Sequence, residues 1–153
     1  MRVLDMCCGS RQFWFSRDDP RAVFCDIRCG AYELPDRTVE VMPDVVCDFR
    51  ALPFRDATFS LVVFDPPHLM WAGPKSFLRA KYGVLNPVTW RDDLCAGFHE
   101  AWRVLRPGGT LIFKWNEQQI RVKELHDLFP SLPLFGHPTG RHGKTHWITF
   151  FKE

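Results

Sequence analysis

Short apolar runs, each closed by an acid, alternate along this chain with stretches of longer period. Val3-Leu4 leads into Asp5, Ala22 to Cys25 ends at Asp26, Asp44 to Cys47 ends at Asp48, and Phe59 to Phe64 ends at Asp65. These read as four strands, the fourth apolar nearly throughout and so buried on both faces. Between Asp92 and Arg106, apolar residues fall at Leu94, Phe98, Ala101, Trp102 and Leu105, which is helical spacing. The acidic pair Asp92-Asp93 starts that helix and Pro107-Gly108-Gly109 stops it. Thr110 to Phe113 is a fifth strand, Gln118 to Phe129 a second helix broken by Pro130, Leu132 to Gly136 a short strand, and Thr145 to Phe151 a last one. A short helix is expected after the first strand. Strands alternating with helices predict an α/β domain built on a mostly parallel sheet, one domain spanning 1–153.

Composition narrows the class. Apolar residues make up 46% of 153 and charged residues 25%, which excludes wholesale disorder. No apolar run reaches membrane-spanning length, and no apolar segment follows a basic one at the N-terminus; a cytoplasmic protein is expected. Of six cysteines only Cys25 and Cys29 approach ligand spacing, with no second pair, so the thiols are read as reduced and structural and no metal is expected. The net charge of +2 is unevenly spread. The stretch 66–91 holds Lys75, Arg79, Lys81 and Arg91 without an acid, and 134–148 holds Arg141, Lys144 and three histidines without one. Both stretches suit an anionic partner, although solvated loops give the same count.

Four acids at four strand ends point to the edge of a doubly wound sheet where ligands bind. Leu4-Asp5-Met6-Cys7-Cys8-Gly9-Ser10 stands where such a fold places its glycine-rich turn. Here the chain resembles class I S-adenosylmethionine-dependent methyltransferases. Asp5 matches the acid of their first motif and Gly9 its second glycine, while Cys7 and Arg11 stand in place of the other two. The resemblance implies a Rossmann-like methyltransferase fold with seven strands or slightly fewer and an antiparallel C-terminal strand. It also implies S-adenosylmethionine as cofactor, S-adenosylhomocysteine as product, and contacts from Asp5, Cys7, Gly9, Asp26, Asp48, Phe49 and Asp65. Asp26 would take the ribose hydroxyls, and Asp48-Phe49 the adenine.

Asp65-Pro66-Pro67-His68 resembles the Asp-Pro-Pro-aromatic motif of methyltransferases that act on adenine N6 or cytosine N4. Such an amine is a poor nucleophile because its lone pair is delocalised into the ring. A carboxylate and a carbonyl at a strand end can accept its two N–H bonds and turn the lone pair towards the methyl. The prolines fix the backbone and remove competing donors. His68, in place of Tyr or Phe, would lay its ring on the base, where stacking contributes about 1–3 kcal/mol. His68, Trp71, Lys75, Lys81, Lys114 and Arg141 are the expected substrate contacts, and DNA or RNA the expected partner, held by the 66–91 and 136–146 loops. Phe13-Trp14-Phe15 would lie beside the cofactor or in the core.

The small size is similar to phage and prophage methyltransferases. With no room for a target-recognition region, specificity falls to the two loops, to a homodimer or to a smaller substrate. Three alternatives stand beside nucleobase methylation: a small-molecule or protein acceptor, a non-catalytic cofactor-binding module that assists a nucleic-acid-binding partner, and degradation of the cofactor.

Overall fold

The computed structural model describes residues 2–138 and 142–153. Its strands are β1 (Val3–Asp5), β2 (Ala22–Asp26), β3 (Gly30–Glu33), β4 (Thr38–Val41), β5 (Val45–Val46), β6 (Phe59–Phe64), β7 (Leu105–Asn116), β8 (Phe135–Pro138) and β9 (Thr145–Phe151). Its helices are α1 (Phe77–Tyr82) and α2 (Trp90–Val104), with a 3-10 turn at Val122–Leu128. Seven strands form one sheet in the order β5-β2-β1-β6-β7-β9-β8, and β3 and β4 form a separate hairpin. The first five strands of that order run parallel, while β9 is antiparallel to both β7 and β8. The chain steps outward from β1 through β2 to β5, then returns to lay β6 on the other side of β1. Between β1 and β6 the strand order therefore reverses.

The other expected strands and the long helix are present, the strand expected at 132–136 lies instead at Phe135–Pro138, and the further differences have local causes. No helix follows β1. Turns run there instead, because Gly9 and Arg11 take left-handed φ angles of 49° and 54°. Arg11 N–H donates to the Cys8 carbonyl and Trp14 N–H to that of Arg11, bonds that close turns. The helix expected at 118–129 shortens to the 3-10 turn: Trp115 Nε1 donates to the Ile120 carbonyl at 2.9 Å, and Arg121 is extended. Strand β7 begins at Leu105, directly after α2, and passes through Pro107-Gly108-Gly109 as an irregular stretch, with Gly108 at φ 72°. It runs on to Asn116, so Lys114 lies within the strand.

Helix α2 lays Leu94, Phe98, Ala101 and Val104 on a core of Phe64, Phe113, Trp115 and Phe150. Contact is close at Gly97, where a Cβ would stand 2.5 Å from Phe64 and 2.7 Å from Phe49. Interiors packed this tightly do not absorb an added methyl without moving rings. The helix thus holds Phe49 and Phe64 in place, one on the site and the other directly before Asp65. Among the described residues, no helix is long and apolar enough to cross a membrane.

Candidate active site

At the reversal point, the loops leaving the carboxyl ends of β1, β2 and β6 enclose a cavity of about 940 Å³, the size of a small-molecule site. Cys7, Gly9, Ser10 and Phe13 enter from the loop after β1, and Asp26, Arg28 and Tyr32 from β2 and beyond it. Phe49, Asp65, Pro67, Arg79, Lys81, Tyr82 and Lys114 also line it, as does Glu33 of the β3–β4 hairpin.

Asp5 lies beneath this cavity, fully buried, and is not one of its lining residues. Trp14 Nε1 donates to its Oδ2 at 2.8 Å, and the Cys7 N–H to its Oδ1 at 3.2 Å. Asp5 therefore shapes the loop after β1 from below. Burial pushes its carboxyl up to about 7, against the lowering effect of the Trp14 bond. Burial likewise raises the Cys7 thiol, with the carboxylates of Asp26 and Asp5 adding to the effect.

Gly9 N–H donates to Asp26 Oδ2 at 2.9 Å. A Cβ on Gly9 would come within 3.2 Å of the Lys81 carbonyl oxygen, so a side chain here would meet the segment carrying α1. Asp26 is also held by Arg28, whose N–H and Nε donate to Oδ1 at 2.9 and 3.1 Å and whose Nη2 reaches Oδ2 at 3.4 Å. A carboxylate offers about four lone-pair sites, and these bonds use them. The guanidinium continues to the carbonyls of Ala80 at 2.7 Å and Lys81 at 3.3 Å. One arginine ties the end of β2 to the far end of α1. Sequence reasoning passed over Arg28; its position two residues beyond a strand-end acid was the available signal.

Asp48 departs from expectation. It does not line the cavity. Arg50 grips both its oxygens, with Nη2 at 2.6 Å from Oδ2, and reaches on to Asp93 in the first turn of α2 at 2.7 Å. That bonding holds the Asp48 carboxyl below its usual range. Its carboxylate anchors α2, and Phe49 alone of the pair faces the cavity.

Asp65 is buried at the end of β6, and Lys114 Nζ donates to its Oδ2 at 2.5 Å. Burial raises the Asp65 carboxyl, and the nearby Lys114 charge opposes the rise. The rings of Phe13, Tyr82 and Trp147 surround the same ammonium at 5.4, 5.5 and 5.7 Å. Pro66 is buried behind Asp65, and Pro67 packs near Gly83 just beyond α1.

His68 also stands elsewhere than expected. Only 6% exposed, it packs edge-on against Tyr82 at 4.8 Å and Trp115 at 6.3 Å, outside the cavity lining. Tyr82, from the basic stretch, covers its ring and itself lines the cavity with Phe13, Tyr32 and Phe49. Burial, with Lys114 and Lys81 nearby, pushes the imidazole down to about 4, so it is neutral at pH 7. Trp71 is 76% exposed and, like exposed Lys75, stands outside the cavity, whereas Lys81 and Lys114 line it. Arg141 lies outside the described residues. Among the described residues, no three His, Cys, Asp or Glu side chains come together as a metal site would require.

No protein-family model and no curated protein sequence matches the chain. Solved structures do. A Pyrococcus horikoshii protein superposes with a TM-score of 0.61 at 18% identity, over 99% of this chain and 82% of that one. A S-adenosylmethionine-dependent methyltransferase from Methanosarcina mazei gives 0.58 at 15% identity, over 99% and 93%. The chain shares the fold of these two structures, the second of them a methyltransferase. A third structure, 1,6-didemethyltoxoflavin-N1-methyltransferase from Burkholderia thailandensis with bound substrate and S-adenosylhomocysteine, gives 0.53 at 17% identity, over 96% and 68%.

Proposed function

We propose that this protein transfers a methyl group from S-adenosylmethionine to an amino nitrogen, with the exocyclic amine of a nucleobase in DNA or RNA as acceptor. The observation that carries the reading is Asp65, a buried carboxylate followed by two prolines, facing the cavity at the reversal point of a methyltransferase fold. When bound, the cofactor supplies an electrophilic methyl on a sulfonium.

Gly9, Ser10, Phe13, Asp26 and Phe49 would hold it. The fit rests on the chemistry of this lining. Ser10 Oγ is buried without a hydrogen-bond partner among the described residues, a polar atom that a ligand in the cavity would satisfy. The aromatic rings of Phe13 and Phe49 suit a cationic and planar guest. Asp26 can accept ribose hydroxyls only by giving up one of its bonds to Gly9 or Arg28.

Asp65 would accept an N–H of the acceptor amine and direct its lone pair. An acceptor must first displace the Lys114 ammonium, and a phosphate is a suitable new partner for that charge. Lys81 and Lys114 in the wall, with Arg79 on α1, make this mouth basic. The nitrogen becomes acidic once methylated, so no separate base is required.

One observation favours a second reading, a small-molecule acceptor: α1 is tied across the cavity by Arg28, which limits the entry of a polymer. Nucleoside mass spectrometry separates the two. The protein and its Asp65→Ala variant are each incubated with the cofactor and single-stranded DNA, duplex DNA or RNA. A methylated adenine or cytosine formed only by the unmutated protein supports the nucleobase. Cofactor binding without any methylated nucleoside moves the acceptor to a smaller molecule.

A further inference from the structure

The Lys114 ammonium is held like a guest. Its carbon chain rises near the carboxyl end of β7, and its Nζ ends against Asp65 Oδ2 inside a ring of three aromatics from three other segments. Phe13 comes from the loop after β1, Tyr82 from the end of α1, and Trp147 from β9. Phe13 and Trp147 brace each other edge-to-face at 5.7 Å. The side chain is only 16% exposed and faces the cavity rather than solvent. A lysine that served only to neutralise Asp65 would need no such enclosure. Aromatic faces around an ammonium are the arrangement that recognises alkylated amines, since ring quadrupoles attract a cation whose hydration methylation has weakened.

We propose that Lys114 Nζ is itself a methyl acceptor, modified within its own molecule when the site holds cofactor and no other acceptor. This inference rests on the methyltransferase reading above: the amine bonded to Asp65 stands where an external amine would have to bind. The step balances without any further reactant. The ammonium passes one proton to Asp65, and burial favours the protonated form of that carboxyl. The freed lone pair on Nζ forms the new nitrogen–carbon bond as the methyl–sulfur bond breaks, and S-adenosylhomocysteine leaves with the sulfur electron pair. The product is a methylammonium that remains inside the three rings. The same position explains a requirement on any external substrate, which must draw Lys114 off Asp65 before its own amine can dock.

The test is the mass of the protein itself. Full-length protein is incubated with S-adenosylmethionine carrying a trideuterated methyl, and intact mass and peptide fragmentation are followed over a range of protein concentrations. Calorimetry with S-adenosylhomocysteine is run in parallel on the same preparations. The expected result is one or more labelled methyl groups on Lys114, formed at a rate independent of protein concentration, absent from Lys114→Arg and from Asp65→Asn although both still bind the product. Binding of S-adenosylhomocysteine with Lys114 unlabelled overturns this inference and leaves the methyltransferase reading standing. A labelling rate that rises with protein concentration overturns the intramolecular step. Absence of product binding by the unmutated protein overturns the methyltransferase reading, and this inference with it.

Discussion

Arg11 occupies the place of a motif glycine yet keeps a left-handed backbone, with φ 54°. That geometry costs an ordinary residue roughly 1–2 kcal/mol, and the side chain supplies what offsets it. Its guanidinium donates to the carbonyls of Arg17 and Met42 at 2.6 Å, pairs with Asp18 and Asp44, and lies 3.9 Å over the Phe24 ring. The turn thus forms at this position without a glycine. Gly9, Asp26 and Asp65 were legible because strand ends and turns impose their residue types locally. The places of His68 and Asp48 were not, since Tyr82 with Trp115 and the remote pair Arg50 with Asp93 decide them. Asp5 carries a measurable consequence. Its folded pKa of about 7 lies above the usual 3.8, so the folded state keeps a proton that the unfolded chain releases in between. That contribution to stability is full below about 3.8 and is lost as pH rises through 7. His68 acts in the opposite sense: its folded value of about 4 against 6.5 favours the fold above 6.5, and that stability is lost as pH falls towards 4. In Asp5→Asn the first contribution disappears. Its melting temperature should gain on that of the unmutated protein as pH rises from about 4 to 7, and the gap should then level off. A gap that stays constant across that range contradicts the raised carboxyl.

At the scale of elements, apolar runs located the sheet well, because buried parallel strands are continuous in hydrophobicity. Helix α2 was equally plain from its apolar spacing. The β3–β4 hairpin was missed: Gly30 to Val41 mixes polar and apolar residues, with only Val39 and Val41 buried on β4. Helix α1 was read as part of a long loop, for it buries no residue of its own and gives no apolar stripe. What holds α1 is its termini and Arg28. Its last turns are bound through the Ala80 and Lys81 carbonyls, and Gly83 beyond it turns at φ 75° beside Pro67. An element with so little buried surface opens at low free energy. Arg28→Ala should therefore speed amide hydrogen exchange across residues 77–83 by at least several-fold, while exchange in α2 stays as it was. Unchanged exchange at 77–83 shows that α1 is held by something other than Arg28.

For the whole molecule, the strand order β5-β2-β1-β6-β7-β9-β8 brings residues from widely separated parts of the chain to one crevice. Sequence alone placed the acids at strand ends, and order reversal between β1 and β6 explains why Asp26 and Asp65 share a cavity while Asp48, farther along the edge, does not. Two ion pairs mark that cavity, Arg28 upon Asp26 and Lys114 upon Asp65. We propose that this crevice holds S-adenosylmethionine, with Asp65 reserved for the acceptor. Calorimetric titration of S-adenosylhomocysteine into the unmutated protein, Gly9→Val and Asp65→Ala tests it most directly. Binding should be seen in the unmutated protein and kept in Asp65→Ala. It should be lost in Gly9→Val, whose side chain would crowd the Lys81 carbonyl and strain a left-handed turn. No binding by the unmutated protein, or binding untouched by Gly9→Val, contradicts the account.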